Sequence, residues 1–326
     1  MKPILIRTTL IVVFLSLPIL IAECFLKLYF PIYTVAPIEA YRYDEEFGVL
    51  LKSGIHLFRT TDYQEEIRTN KIGTVNFQES FSEYDQLIFA IGDSYTQGTG
   101  VPIDASYPFQ LDLMLNTRNK NYVKKYAVVN LGFGAFGGEE AILTLLKYKE
   151  LIGSPRYILF LGCDNDYEDD LLFKSGYRYN HLVEGNPRWG VWLKPLQWFT
   201  HRTEIGKRLK LAISTVRRNK IFNGKVLSME KTDVAVLQRP VLDKLLNISK
   251  KLQSTLIVSW ANPSESYQSL KDWAGEHHVQ FADWYPLVQS VQKSMPALSL
   301  DNQHSGGHHR TWVNQMIAQA FEQHIV

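Results

Sequence analysis

The chain has 326 residues, of which 45% are hydrophobic and 13% aromatic, and its 35 basic side chains nearly balance 33 acidic ones. The formal net charge of +2 excludes a strongly basic nucleic-acid binder and a polyacidic tail protein. Two cysteines, Cys24 and Cys163, are too few for a disulfide framework or a four-thiolate metal site.

Residues 1–30 are predicted to form a membrane anchor. No charged residue occurs from Thr8 to Ala22, and Arg7 and Lys27 at the two ends can extend their charged groups toward the membrane interfaces. Lys2 favours a cytoplasmic amino terminus. The expectation is a single-pass anchor with the rest of the chain outside the cytoplasm, periplasmic or extracellular. Two alternatives remain open, a signal peptide cleaved near residues 22–24 and a buried helix.

Residues 31–84 are predicted to be a polar lead-in of short strands, and residues 85–326 one α/β domain. In that domain, apolar runs alternate with amphipathic stretches. Strands are predicted at Gln86–Ile91, Tyr126–Asn130, Tyr157–Leu161, Thr255–Ser259 and His278–Ala282, and helices at Tyr107–Leu115, Glu139–Glu150, Val241–Leu252, Ser266–Ala274 and from Trp312 onward. Strands that are apolar on both faces and alternate with helices indicate a parallel sheet covered by helices on both sides.

A long insertion at residues 167–234 separates the third predicted strand from the next helix. It carries the aromatic residues Tyr177, Tyr179, Trp189, Trp192 and Trp198 and a basic run at 207–220. The aromatic residues are expected to form a satellite core, and alternatively to stack on sugar rings or shape an acyl pocket. The basic run is interpreted as a solvated helix face, with contact to anionic lipid headgroups as the second interpretation.

Polar motifs follow the predicted strands, at the carboxyl ends where functional groups collect in parallel sheets. The first strand ends in Gly92-Asp93-Ser94, the second in Asn130-Leu131-Gly132 and the third in Gly162-Cys163-Asp164-Asn165-Asp166, while Asp301-Asn302-Gln303-His304 precedes the last helix. Each motif alone is common. Together they supply the residue types that acyl transfer requires.

A serine hydroxyl is a weak nucleophile that needs an adjacent base, and a carboxylate on the other ring nitrogen holds the imidazole tautomer. Ser94 is therefore the candidate nucleophile, His304 the candidate base and Asp301 its carboxylate partner. The backbone N–H groups of Ser94 and Gly132 and the side-chain amide of Asn165 are the candidate donors to an oxyanion.

Each of these residues also has a structural interpretation. Ser94 is alternatively a helix cap after a strand, and Asn165 an ordinary turn asparagine. His308 and His309 compete with His304 as the base and are interpreted as residues that open the last helix. A zinc site lacks carboxylate or thiolate partners at defined spacing, so neither a metal nor a cofactor is predicted.

These motifs together resemble the SGNH (GDSL-type) hydrolase superfamily from about Gln86 to the carboxyl terminus. The segment Phe89–Gly98 is similar to its first block, Gly132 to the second, Asn165 to the third, and Asp301 and His304 to the Asp-x-x-His of the fifth. The resemblance implies a three-layer α/β/α sandwich, ester hydrolysis or acyl transfer without a metal, a triad of Ser94, His304 and Asp301, and an oxyanion hole of Ser94, Gly132 and Asn165.

The chain departs from the family pattern in two places. Asp164 is inserted into the third block, which is usually Gly-x-Asn-Asp, and Ser305-Gly306-Gly307 replaces the proline that usually follows the histidine. The segment 23–27 and the motifs at 43–48 are similar to a membrane-tethered subgroup.

The resulting hypothesis is a membrane-tethered, extracytoplasmic serine ester hydrolase that removes acyl groups from glycans or lipids through an acyl-enzyme on Ser94. An O-acyltransferase with the same triad and a catalytically silent binding or assembly protein are the alternatives. The expected partners are an ester-bearing substrate and a membrane, through the N-terminal helix, and no nucleic acid.

Overall fold

The computed structural model describes residues 2–32, 37–59, 63–118, 125–181, 183–188, 194–222, 233–302 and 307–325. The strands in these ranges are β1 Tyr41–Asp44, β2 Gly48–Leu51, β3 Gly54–Arg59, β4 Gln64–Thr69, β5 Gln86–Gly92, β6 Tyr126–Asn130, β7 Tyr157–Gly162, β8 Thr255–Trp260 and β9 Gln280–Phe281. The helices are α1 Lys2–Tyr29, α2 Ser94–Gln97, α3 Tyr107–Arg118, α4 Gly138–Ile152, α5 Asp166–Lys174, α6 Lys194–Arg202, α7 Glu204–Phe222, α8 Val234–Leu237, α9 Arg239–Leu252, α10 Glu265–Glu276, α11 Tyr285–Ser294 and α12 Thr311–Glu322, with 3-10 turns at Ile38–Ala40, Ile103–Ala105 and Tyr177–Asn180.

The central sheet has five strands in the order β6-β5-β7-β8-β9, and every pair in it is parallel. The chain runs from β5 to β6 in one direction across the sheet, and from β6 through β7 and β8 to β9 in the other. Right-handed crossovers then place α3 on one face and α4, α9 and α10 on the opposite face. Helix α12 packs against α3 and completes the first helical layer. The predicted parallel sheet with helices is confirmed.

The core consists of apolar side chains on both faces of this sheet. Residues Ile88–Ile91 of β5 are fully buried, as expected for a central strand covered on both sides. Trp260, Trp273 and Trp284 are among the largest fully buried side chains, and the indole N–H of Trp284 donates to the Trp260 carbonyl at 2.9 Å. Burial of a large apolar side chain contributes about 1.5–3 kcal/mol, so this core fixes the strand ends that carry the polar motifs.

The lead-in forms two antiparallel hairpins, β1 with β2 and β3 with β4. It is joined to the sheet where its last part runs beside β6. The Val75 N–H donates to the Asn130 carbonyl at 3.0 Å, and the Asn76 side chain binds the Val128 carbonyl and the Asn130 N–H at 2.9 Å each. The lead-in thereby covers the outer edge of the sheet.

The prediction that residues 1–30 form a single-pass membrane anchor is wrong. In the part of the chain that the structure describes, no helix has the length and apolar character needed to cross a membrane. Helix α1 has 28 residues, but its uncharged part is too short. The run 8–22 spans about 22 Å at 1.5 Å per residue, whereas the hydrocarbon core of a membrane is about 30 Å thick. Glu23, which follows this run, accepts hydrogen bonds from the backbone N–H groups of Glu204 at 2.6 Å and Ile205 at 3.0 Å. These bonds tie α1 to the start of α7.

The insertion contributes α5, α6 and α7. Its Arg178 is buried, and its guanidinium pairs with Glu140 of α4 at 2.6 Å and lies 5.3 Å from the ring centroid of Phe136. Trp189 and Trp192 lie outside the described residues, and Trp198 of α6 is 63% exposed. The insertion is thus anchored by a buried ion pair, and at least one of its tryptophans faces solvent.

Candidate active site

Ser94 lies where β5 ends and the short helix α2 begins. The fully buried Asp93 caps this helix by accepting the Tyr95 N–H at 2.9 Å, and its second carboxylate oxygen lies 3.1 Å from Ser94 Oγ. Gly92 is required here, because a Cβ at this position would lie 2.5 Å from Thr96 Oγ1. The tight turn therefore places Ser94 at the carboxyl end of a central strand, as predicted from the motif.

His308 faces this serine. Its Nε2 lies 2.7 Å from Ser94 Oγ, which is within the range for proton transfer between a nucleophile and its base. Tyr95 supports the imidazole: the two ring centroids are 5.1 Å apart, and the tyrosine hydroxyl donates to the Gly307 carbonyl at 3.0 Å. That hydroxyl also accepts from the Asn262 side-chain amide at 3.1 Å. The sequence interpretation had assigned His308 only to the opening of the last helix.

Of the predicted base and its carboxylate partner, the structure describes only the carboxylate. His304 lies outside the described residues, so its role stays a prediction. Asp301 binds His309 instead, with 2.5 Å between Oδ1 and Nδ1. The other ring nitrogen of His309 lies 2.8 Å from the Ala261 carbonyl oxygen, and the ring is buried. Two adjacent histidines therefore do different work: His308 faces the serine, and His309 fixes the segment before α12 to the end of β8.

Ser94 and His308 open into a cleft of about 620 Å³. Its walls come from the lead-in, from α2 and from the loops after β5, β6, β7 and β8. The lining residues are Tyr41, Phe58, Ser94, Tyr95, Gln97, Thr99, Gly134, Ala135, Asp164, Asn165, Glu168, Asn262 and His308. The convergence of these loops follows the rule that parallel strands present functional groups at one edge.

The N–H of Gly132, a predicted oxyanion donor, already binds a side chain of its own loop. It donates to Asn130 Oδ1 at 3.0 Å, and a Cβ on Gly132 would lie 2.2 Å from the Gln97 nitrogen. The residue is a close-packing point between the β6 loop and α2. Two residues further on, Gly134 and Ala135 do line the cleft, and Ala135 has a φ of +67°, which is uncommon for a residue with a side chain.

Asn165, the other predicted donor, lies on the cleft wall in the turn between β7 and α5. Its Nδ2 donates to Asp169 at 2.6 Å, and its Oδ1 lies 3.0 Å from Cys163 Sγ. The inserted Asp164 also lines the cleft, and its Oδ1 accepts from the Trp260 indole at 2.8 Å and the Ser264 hydroxyl at 3.0 Å. The insertion therefore leaves Asn165 on the cleft, with its amide donor held by α5.

Behind Ser94 and Asn165 lies a group of buried acids. Burial raises the pKa of Asp166 well above its usual value, and the Asp93 carboxylate raises it further. Burial also raises the pKa of Asp169 to about 7, although Arg178 and Asn165 act in the opposite direction. The pKa of Cys163 is raised by burial as well, so the thiol keeps its proton and can donate it to Asp93 or Asp166, whose carboxylate oxygens lie 3.0 Å and 3.1 Å from Sγ.

Asp93, Cys163 and Asp166 have potential ligand atoms within 4.8 Å of one another. A metal requires the thiolate form of cysteine, whereas burial and the neighbouring carboxylates of Asp166 and Asp93 raise the pKa of this thiol and keep it protonated. Mutual hydrogen bonding explains the cluster, and we assign no metal to it.

No family model and no curated protein matches this chain. Among solved structures, it is similar to a lipolytic protein of the G-D-S-L family from Veillonella parvula, with 11% identity over 73% of this chain and 97% of that chain and a TM-score of 0.41. It is also similar to an acetyl xylan esterase, with 12% identity over 74% of this chain and 100% of that chain and a TM-score of 0.42. An acetylxylan esterase from Geobacillus stearothermophilus shares 13% identity over 74% of this chain and 94% of that chain, with a TM-score of 0.38. At these values the functional conclusion depends on the site geometry and not on the likeness.

Proposed function

We propose that this protein is a serine ester hydrolase in which Ser94 is the nucleophile and His308 the general base. The observation that supports the proposal is the 2.7 Å contact between His308 Nε2 and Ser94 Oγ at the carboxyl end of a central strand. A helix-capping role for Ser94 does not require an imidazole at this distance, because Asp93 already caps α2.

The reaction has two halves. Ser94 Oγ attacks the ester carbonyl carbon while His308 Nε2 takes its proton, and the tetrahedral intermediate collapses as His308 returns that proton to the leaving alcohol. Water then attacks the acyl-enzyme with His308 again accepting a proton, and the carboxylic acid leaves as the Ser94 hydroxyl is restored. The Ser94 N–H and the Asn165 amide are the proposed donors to the oxyanion.

The lining of the cleft favours an uncharged, hydroxyl-rich alcohol portion. Amide and hydroxyl groups are supplied by Gln97, Thr99 and Asn262, and the described lining residues include no lysine and no arginine. Glu168 is paired with Arg218 at 3.1 Å, whereas Asp164 presents a carboxylate without a cationic partner among the described residues. An anionic headgroup would meet this negative charge, so a short acyl ester of a neutral sugar fits better than an anionic lipid ester.

A fluorophosphonate probe tests the nucleophile directly, because it reacts with an activated serine hydroxyl. The full chain and the Ser94→Ala variant are compared, with Ser294→Ala as the control, since Ser294 lies exposed at the end of α11 and binds only the Val291 carbonyl. Labelling of the wild type and of Ser294→Ala, and not of Ser94→Ala, is expected. A folded wild type that does not react would support the catalytically silent alternative and overturn the proposal.

The reaction type is tested with p-nitrophenyl acetate, longer-chain p-nitrophenyl esters and acetylated xylo-oligosaccharides. Release of free acetate in water is the expected product, with activity declining as the acyl chain lengthens. Transfer of the acetyl group to an added sugar in preference to water would replace hydrolysis with the O-acyltransferase alternative.

A further inference from the structure

A second pocket lies beside the cleft, between the lead-in and α6. It has a volume of about 570 Å³, and Trp198 lies on its wall together with Gln197 and Arg202 of the same helix. The Trp198 side chain is 63% exposed. A large aromatic ring left in water inside a concave, polar pocket offers a flat apolar surface surrounded by hydrogen-bonding groups.

The charges of this pocket are largely compensated. Arg202 pairs with Glu39 of the lead-in at 2.9 Å, and Lys52 pairs with Glu184. Lys194 is the other charged lining residue of the described set. A ligand of this pocket therefore needs hydroxyl groups more than it needs charge.

His201 also lines the pocket, and its hydrogen-bond partners show that its ring is neutral. Its Nε2 lies 2.8 Å from the Lys210 ammonium, which can only donate, and its Nδ1 lies 2.8 Å from the Gln197 carbonyl oxygen. The ring is therefore the neutral tautomer with its proton on Nδ1. Burial and the Lys210 charge lower the pKa of His201 in agreement with this assignment.

The pocket and the catalytic cleft share a wall. Glu39 lines the pocket, and Tyr41, two residues further along, lines the cleft. Two residues separate their Cα atoms by at most about 7.6 Å. A sugar chain with its ester group at Ser94 would reach Trp198 by passing Tyr41.

From this geometry we propose that the Trp198 pocket is a distal subsite for a neutral oligosaccharide chain. The apolar face of a sugar ring stacks on the Trp198 indole, while the planar side chains of Gln197, Glu39 and Arg202 bind its hydroxyl groups. The inference rests on the proposed ester hydrolase function, since it assigns the subsite to the carbohydrate portion of the same substrate.

The test measures binding of xylohexaose, cellohexaose and chitohexaose by calorimetry to the full chain carrying Ser94→Ala, so that no turnover occurs. A hexamer of galacturonic acid is the anionic comparison. Binding of at least one neutral hexamer is expected, with about a tenfold loss of affinity in Trp198→Ala and partial retention in Trp198→Phe. Leu196→Ala is the matched control, because Leu196 is 44% exposed on the same helix and does not line the pocket, so affinity stays unchanged.

Several outcomes overturn the subsite: no neutral hexamer binds, binding is equal in Trp198→Ala and its parent, or only the galacturonic acid hexamer binds. These outcomes are separable from failure of the enzyme proposal. Fluorophosphonate labelling without hexamer binding removes the subsite alone, whereas Trp198-dependent hexamer binding without labelling leaves a carbohydrate-binding site on a silent fold.

Discussion

The two sides of the Ser94–His308 contact are held by different means. The serine is fixed by its neighbours in the sequence, namely the end of β5 at Gly92, the Asp93 cap and the start of α2. The histidine lies before α12 and is fixed from outside its own segment, by the Tyr95 hydroxyl on the Gly307 carbonyl and by the bonds of the neighbouring His309 to Asp301 and Ala261. A local turn can position a nucleophile, whereas its base depends on contacts that form only in the folded molecule.

The largest effects are expected when the serine or the histidine of this contact is replaced. Ser94→Ala and His308→Ala are each expected to lower kcat by about 10⁴-fold or more, and the double variant little further, because the two groups act as one unit. Ester hydrolysis by the two single variants and the double variant measures this. His304→Ala is the matched control and is expected to retain activity within about tenfold; a loss as large as that of His308→Ala would return the role of base to His304.

The Asn165→Ala variant tests whether the Asn165 amide donates a hydrogen bond to the oxyanion. If its amide turns from Asp169 to the oxyanion during the reaction, turnover falls by about 10²-fold with little change in stability. Steady-state kinetics and thermal unfolding measure the two effects, and Asn262→Ala, in the loop after β8, reports the effect of losing an amide that binds Tyr95. Equal kcat in Asn165→Ala and the wild type would remove Asn165 from the oxyanion hole.

The support of His308 is tested by Tyr95→Phe, which keeps the ring against the imidazole and deletes the hydroxyl. We expect kcat to fall by about tenfold at nearly constant KM, because the Gly307 carbonyl loses its donor and the base is less well positioned. Tyr148→Phe is the control, since that hydroxyl also donates to a carbonyl, that of Ile72 at 2.7 Å, in a part of the fold away from the cleft.

Both substitutions are expected to cost about 1 kcal/mol of stability. A fall in kcat of the same size in both variants would mean that the Tyr95 hydroxyl acts on stability alone and not on the position of His308.

The smallest expected effect concerns the buried acid Asp169. Its folded pKa of about 7 lies above the ordinary value of 3.8, so the folded state holds a proton that the unfolded state has released. Its contribution to the free energy of unfolding is therefore present in full below the ordinary pKa and is lost as the pH rises through about 7.

The melting temperature should accordingly fall between pH 5 and pH 8, and Asp169→Asn should reduce that fall by about 2–4 °C. Thermal unfolding across this range measures both, with the exposed Asp272→Asn of α10 as control. An unchanged slope in Asp169→Asn would mean that Asp169 is ionised in the folded protein at pH 5.

The sequence predicted the features that depend on local pattern. The predicted strand at Tyr126–Asn130 coincides with β6, and the predicted strands 86–91, 157–161 and 255–259 each lie within one residue of β5, β7 and β8. Helices α5, α6 and α11 were not predicted, whereas the basic run 207–220, interpreted as a helix face, lies within α7. The pattern is reliable for the central sheet because burial on both faces requires apolar runs.

The site was only partly predictable, because two of its features depend on contacts made after folding. The role of His308 follows from the approach of the segment before α12 to Tyr95, which no spacing in the sequence encodes. The N–H of Gly132 was assigned to the oxyanion, but the Asn130 side chain two residues earlier already accepts it. The sequence offered one signal for His308, the pair of histidines immediately before a strongly amphipathic helix.

The contact of Val75 and Asn76 with β6 affects how the protein can be shortened. Because their hydrogen bonds occupy the exposed rim of β6, a fragment that starts at residue 85 would carry unsatisfied backbone groups along that rim. Such a rim is a template for edge-to-edge pairing between molecules. The shorter fragment should therefore self-associate, and in the full chain Val75 and Asn76 prevent this by occupying the edge of β6.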